Sequence, residues 1–117
     1  MEYIDRGIVI VKPKQPYVDW ANQLPDPPAQ PETIVTLSRD CNVFLVPELV
    51  NDDEVLAYLE QFKPQIFEKE LADYHDDRSA WPPIRDSHTF DKWFELEIHS
   101  VVIDTVNAPI YTEPYEE

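Results

Sequence analysis

The sequence predicts an α+β fold in which a small three-stranded sheet packs against three to four short helices. Apolar stretches near residues 7–12, 42–47 and 95–106 supply the strands, and the segments between them repeat apolar residues at helical spacing. A chain of 117 residues, 43% of them hydrophobic, suits one domain with its own core. We expect that domain to span residues 1–107 and residues 108–117 to form a loosely ordered acidic tail.

The first two predicted strands are apolar runs that each stop at a proline. The run that begins at Gly7 stops at Pro13, and the run that begins at Asn42 stops at Pro47. Proline lacks the amide hydrogen that a strand ladder needs, so both strands are expected to end there. Continuous apolar character is typical of strands buried on both faces. A short sheet of this kind also favours a homodimer that covers a spare face or edge.

The segment between these strands is predicted to contain a helix and a linker. Over residues 15–24, Pro16 suits a first helical turn and Trp20 lies on the apolar face as a core anchor. The proline-rich residues 25–32 are expected to form a stiff, extended spacer. The following residues 33–40 are ambiguous, because their first half prefers a strand and their second half a turn.

Two helices are predicted after the second strand, at about 52–62 and about 64–75. Asn51 or Asp52 is expected to cap the first of them. Pro64 should interrupt the apolar stripe near Phe62, because a proline ring clashes with the preceding helical turn.

The stretch from Phe90 to Asp104 contains the longest predicted strand, and we expect the fold to be organised around it. Ser87 is expected to cap a short helix that ends at Trp93. After it, apolar side chains alternate with Glu95, Glu97 and His99, as a strand with one buried face requires. The second face becomes apolar after His99, which predicts that the strand enters the interior along its length.

The charge of the chain points to a basic protein partner. There are 24 acidic residues against 9 basic ones, a formal net charge of −15. This charge disfavours direct binding to nucleic acids and to anionic membranes, whose phosphates need Lys and Arg. Segment 48–77 alone has ten acids and two bases. The predicted partner-binding residues are Asp52, Asp53, Glu54, Glu60, Glu68, Trp81 and Arg85. The simpler alternative is that acidity only keeps the protein soluble.

Trp81, which precedes two prolines, has two interpretations. An exposed Trp81 beside Arg85 would make a binding hot spot. A buried Trp81 would instead cap the core, as large aromatic side chains usually do, and burial is the favoured alternative.

Two clusters are candidates for chemistry. Glu95, Glu97 and His99 share a strand face with Cβ atoms ~7 Å apart, so they could orient a base or hold a metal. Their simpler interpretation is a solvent-facing half of a strand. Around a probable helix end, the weak metal candidates are Asp73, His75, Asp76 and Asp77. Their spacing matches no established metal motif, which favours a solvated helix end, and His75 or His88 is a further candidate partner for the strand cluster.

Other enzyme classes lack the residues they need. A chain with one glycine cannot easily build a phosphate-binding loop, and Cys41 has no partner for a disulfide. We predict no cofactor. The single cysteine and the absence of a signal-peptide or membrane-spanning pattern lead us to expect a cytoplasmic location.

Several short motifs resemble a family of short, acidic, uncharacterised bacterial proteins. They are Val11-Lys12-Pro13 with Pro16 and Trp20, Trp81-Pro82 with Arg85, Phe90 with Trp93-Phe94, and Ile98-His99-Ser100. The resemblance implies a cytoplasmic bacterial protein and no particular activity. The sequence therefore favours a non-enzymatic acidic interaction or regulatory protein, and the alternative is a small metal-dependent or His/Glu-based enzyme that uses strand residues 95–99.

Overall fold

The computed structural model describes residues 1–115. Their strands are β1 Glu2–Tyr3, β2 Arg6–Pro13, β3 Val43–Pro47, β4 Phe94–His99 and β5 Ile103–Asp104. Their α-helices are α1 Gln15–Asn22, α2 Ile34–Leu37, α3 Asp52–Leu59, α4 Lys63–Tyr74 and α5 Ser87–Trp93. Short 3-10 turns cover Glu60–Phe62 and Arg78–Ala80. Among these helices, none combines the length and the apolar character that crossing a bilayer requires.

The fold is α+β, as the sequence predicts. Strands β3, β2 and β4 form an antiparallel sheet in that order, and β1 pairs with β5 in a separate two-stranded sheet. The strand at the centre is therefore β2, and β4 lies at an edge. The expectation that the stretch 90–104 organises the fold is wrong in this respect, because β2 is the strand that pairs on both sides.

The helices cover only one face of the three-stranded sheet. Val9 and Val11 of β2, Val46 of β3 and Phe94 of β4 point into the core and are buried. On the opposite face Leu45 remains exposed, together with its neighbour Val43. The prediction that β2 and β3 are buried on both faces is thus wrong. A continuous apolar run cannot reveal how many layers of helix the rest of the chain supplies.

Strand β4 is shorter than the sequence suggests. It ends at His99, which is paired with Ile8, and residues 103–104 pair instead with β1. The apolar residue Val101 is exposed, so the strand does not enter the interior after His99. The reason lies in β2, which begins at Arg6 and offers few further positions for pairing.

Local side-chain chemistry sets the helix boundaries. Asn51 caps α3 by accepting a hydrogen bond from the Glu54 amide at 3.0 Å, and the predicted interruption near Phe62 is a 3-10 turn before α4. The cap of α5 is Asp86, one residue earlier than predicted. The ambiguous segment after the linker forms α2, which begins with a capping box. The Thr33 hydroxyl accepts a hydrogen bond from the Thr36 backbone amide, and the Thr36 hydroxyl accepts one from the Thr33 backbone amide.

The proline-rich segment 25–32 is a closed loop, in contrast to the extended spacer expected from its composition. The Asn22 side chain donates to the Glu32 carbonyl at 3.0 Å and accepts from the Glu32 amide at 2.8 Å. These two bonds hold the ends of the loop together. Asp26 has a φ of 58°, a left-handed conformation that Asp tolerates better than most residues, and this reverses the chain direction.

Candidate binding cleft

The strand-face candidates lie on the open side of the sheet. His99 Nε2 is 3.0 Å from Glu97 Oε2, and Lys12 Nζ is 3.4 Å from Glu97 Oε1. The hydrogen bond with His99, followed by the charge of Lys12, lowers the pKa of Glu97. Glu95 and His99 are exposed, and His88 lies on α5. The sheet brings Glu97 and His99 together, but on a surface open to water.

The acidic residues near His75 make separate contacts. Asp77 caps the turn Arg78–Ala80 by accepting from the Ser79 amide at 3.0 Å, and Asp73 forms an ion pair with Lys69. Asp76 is exposed, and the His75 carbonyl accepts from Trp81 Nε1. Within residues 1–115, no group of three or more His, Cys, Asp or Glu side chains is arranged to hold a metal ion.

The candidate partner-binding acids differ in whether their carboxylates are paired with other groups of the chain. Asp52 and Asp53 are exposed in the first turn of α3, where Glu54 accepts a hydrogen bond from the Val50 amide. Glu60 binds Lys63, and Glu68 binds Arg78 at 2.9 Å. The acidic surface is therefore partly neutralised by the chain's own cations.

The structure places Trp81 in the core. Its ring is 7% exposed, and its indole nitrogen donates to the His75 carbonyl at 2.7 Å. The guanidinium of Arg78 lies 4.5 Å from the ring centroid and that of Arg85 lies 5.8 Å from it. The favoured alternative, burial of Trp81, is the one found, and the two arginines lie over its ring.

A groove runs between the edge strand β3 and the helices α3 and α4. We call it the apolar groove; its volume is about 330 Å³, and its main walls are Phe44, Leu45, Tyr58, Leu59, Phe62 and Ile66. The rings of Tyr58 and Phe62 contact each other with centroids 5.4 Å apart. Tyr115 of the tail, with Lys69, closes one side of the groove.

The strand beside this groove has a free edge. The carbonyl of Asn42 accepts from the Val11 amide, so the backbone groups of alternate residues face β2. By the same alternation, the amides and carbonyls of Val43 and Leu45 point away from β2. In residues 1–115 no strand pairs with β3 on that side. An extended peptide could therefore add to the sheet here.

A second cavity, which we call the Glu70 pocket, lies near the other end of α4. It has a volume of about 110 Å³ and includes Tyr17, Cys41, Asn42, Glu70 and Asp73 among its walls. Asn42 Nδ2 donates to Glu70 Oε1 at 2.9 Å and to Asp73 Oδ2 at 2.6 Å. Glu70 is only 9% exposed, an unusual state for a glutamate without a cationic partner.

The Glu70 pocket changes the acidity of its walls. Burial raises the pKa of Glu70 to about 7, and the charge of Asp73 adds to this, while the hydrogen bond from Asn42 opposes it. Burial, with the charge of Glu70, also raises the pKa of the Tyr17 hydroxyl. Burial likewise raises the pKa of Cys41, which keeps that thiol protonated and weakly nucleophilic.

The apolar groove and the Glu70 pocket lie along the same two elements. Ile66 and Lys69 of α4 line the groove, while Glu70 and Asp73 line the pocket. On the other side, Phe44 lines the groove and Asn42, two residues earlier, lines the pocket. We call the two together the β3–α4 cleft. It combines an apolar half, an acidic half and a free strand edge.

The sequence-based search for sites missed this cleft, although one sign of it was available. Glu70 lies three residues after Phe67 and four after Ile66, so it falls inside the apolar stripe of α4. A carboxylate in such a stripe must find a partner or change its pKa.

No protein-family model matches the chain, and neither a curated protein nor a solved structure matches it.

Proposed function

We propose that this protein is a non-enzymatic interaction or regulatory protein that binds a basic segment of a protein partner in the β3–α4 cleft. The observation that carries the proposal is the cleft itself, where an apolar groove and a half-satisfied buried carboxylate adjoin a free strand edge. A segment that combines apolar and cationic side chains complements both halves.

The apolar half supplies the anchoring contacts. Tyr58 and Phe62 form an aromatic wall of the groove that Phe44 also lines, and its volume of about 330 Å³ is enough for a large apolar side chain. Aromatic residues in a pocket of this type dominate the energetics of many interfaces. The free backbone groups of Val43 and Leu45 add main-chain hydrogen bonds that do not depend on the sequence of the partner.

The charge of the chain selects a basic partner. A net charge of −15 attracts cations over long distances and speeds their encounter with the protein. The exposed Asp52 and Asp53 at the start of α3 contribute to this field. Because salt screens such attraction, we expect binding to weaken as ionic strength rises.

The enzyme alternative has weaker support. Its only assembled pair, Glu97 and His99, lies on an exposed surface, and a general base works best in a site that excludes water. A homodimer through the open face of the sheet is a second mode of association, supported by the exposed Val43 and Leu45. The free thiol of Cys41 suits a reducing compartment such as the cytoplasm.

The test is selection of random linear peptides displayed on phage against the full chain, followed by calorimetry of the selected peptides. We expect the peptides to be enriched in Lys or Arg together with aromatic or aliphatic residues, and to bind more weakly at high salt. Substitution Tyr58→Ala should reduce affinity at least about tenfold, because it removes a groove wall.

The matched control is Tyr111→Ala, which removes an exposed tyrosine of the tail. A second variant, Leu45→Ser, changes an exposed side chain that borders the groove from the open face of the sheet, and it should leave the fold intact. Acidic peptides, or basic peptides that bind both groove variants as well as they bind the wild type, would contradict the proposal. Light scattering on the same samples shows whether a second copy occupies the open face.

A further inference from the structure

We infer that the Glu70 pocket is a subsite for one cationic side chain, the ammonium of a lysine or the guanidinium of an arginine. The inference rests on the proposed function for the source of that side chain, which is the basic segment bound in the β3–α4 cleft. The walls of the pocket are residues of this chain, so its geometry can be described without the partner.

The carboxyl of Glu70 has incomplete hydrogen bonding. Its Oε1 accepts from Asn42, whereas its Oε2 accepts no hydrogen bond within residues 1–115. No fully enclosed side-chain oxygen in this part of the chain lacks a partner, so Oε2 is accessible from outside, and Glu70 lines the cavity. Water can donate to such an acceptor, but a cationic donor makes a stronger bond to a carboxylate in a side chain that is otherwise buried.

No cation forms an ion pair with Glu70 within residues 1–115. Lys69 pairs with Asp73, and Lys12 lies beside Glu97, so neither forms an ion pair with Glu70. The titratable and charged groups around the carboxyl are Asp73, Lys69 and Tyr74 on α4, Tyr17 on α1, Asp40 and Cys41 before β3, and Glu32 after α1. Asp73, which shares the Asn42 amide with Glu70, is another acid whose charge raises the pKa of Glu70, whereas the charge of Lys69 lowers it.

The Glu70 pocket has the size of one cationic group. A cavity of about 110 Å³ holds a few water molecules, and an ammonium or guanidinium group fits the same space. The walls include Tyr17 and Leu37, which can contact the methylene groups of a lysine or arginine side chain. The planar guanidinium would meet acceptors on both Glu70 and Asp73, which makes arginine the better occupant.

The occupied pocket has a consequence for protonation. A cation beside Glu70 favours its ionised form, so binding releases a proton when the carboxyl is protonated beforehand. We expect the affinity for a cation to increase as the pH rises through about 7, where Glu70 ionises.

The test uses methylguanidinium chloride as the probe on the full chain, with sodium chloride at equal ionic strength as the reference. Nuclear magnetic resonance would follow the Glu70 carboxyl and the Asn42 side-chain amide. We expect a saturable shift of both resonances and a lower pKa of Glu70 with methylguanidinium than with sodium. Glu70→Gln should abolish the response, and the control Glu95→Gln, on an exposed residue of β4, should preserve it.

Equal responses to methylguanidinium and sodium would overturn the inference. A response to calcium chloride alone would also overturn it, since the pocket would then be a metal site. The proposed function is tested separately by the selected peptides. Peptides that bind the wild type and Glu70→Gln equally would refute the subsite while preserving the cleft, and a methylguanidinium response without peptide binding would do the reverse.

Discussion

The two ends of helix α4 each bury a charged side chain, and they differ in how that charge is compensated. Lys63, at the start of the helix, is 4% exposed; its Nζ lies 2.8 Å from Asp91 Oδ1 and also binds Glu60. Glu70, seven residues later, has one amide donor and an acidic neighbour. The Lys63 ammonium has nearly all of its hydrogen bonds within the chain. The Glu70 carboxyl keeps one oxygen that can accept a hydrogen bond from a ligand.

The pKa values follow this difference. Burial works to lower the pKa of Lys63, but the hydrogen bonds to Asp91 and Glu60 outweigh it, and the pKa is raised. At Glu70 burial dominates, and the neutral form is favoured up to about pH 7. A buried ionisable group that its own chain satisfies is therefore part of the scaffold, whereas one that its chain leaves open is a candidate for a site.

The largest expected effect comes from replacing the uncompensated charge. The raised pKa of Glu70 means that its contribution to stability is full below about pH 4.5 and is lost as the pH rises through about 7. Each pKa unit corresponds to about 1.4 kcal/mol, so wild-type protein should lose about 3 kcal/mol of unfolding free energy across this interval. Glu70→Gln should remove that loss and be more stable than wild type at pH 8.

Urea denaturation at several pH values measures this difference, with Glu95→Gln as the control. The control removes an exposed carboxylate and should follow the wild-type curve. A Glu70→Gln curve that runs parallel to the wild type from acid to neutral pH would show that Glu70 is compensated as fully as Lys63, and the contrast between the two ends of α4 would disappear.

A smaller effect of opposite sign is expected at the compensated end. Lys63→Ala removes the ammonium that joins α4 to Asp91 of α5 and that lies 5.7 Å from the centroid of the Phe90 ring. Glu60 and Asp91 are themselves largely exposed and can return to water. We therefore expect a loss of about 2 kcal/mol, less than for a fully buried pair.

The matched control is Lys92→Ala, at an exposed lysine of α5 for which we expect a change within about 0.5 kcal/mol. Equilibrium unfolding in urea at neutral pH compares the two variants. If Lys63→Ala were as stable as Lys92→Ala, the ion pairs of Lys63 would contribute nothing to the fold.

The sequence predicts the elements better than it predicts their surroundings. Prolines mark the ends of β2 and β3, and Pro64 marks the start of α4, because proline acts through local geometry. The covering of only one sheet face depends on where all the helices pack. The Glu70 pocket depends on Asn42, which is 28 residues away in the chain, and no local pattern encodes that contact.

The exposed pair Glu97 and His99 gives the smallest expected effect and completes the series. Both side chains are about half exposed, so water solvates each charge whether or not the pair forms. We expect His99→Ala to leave the urea midpoint at neutral pH unchanged within error. The lowered pKa of Glu97 means that any stability from the pair is present at neutral pH and is lost as the pH falls, so neutral pH is where a contribution would be visible. A clear loss of stability there would show that exposure does not decide which charges of this protein contribute to stability, and the contrast between exposed and buried groups would fail.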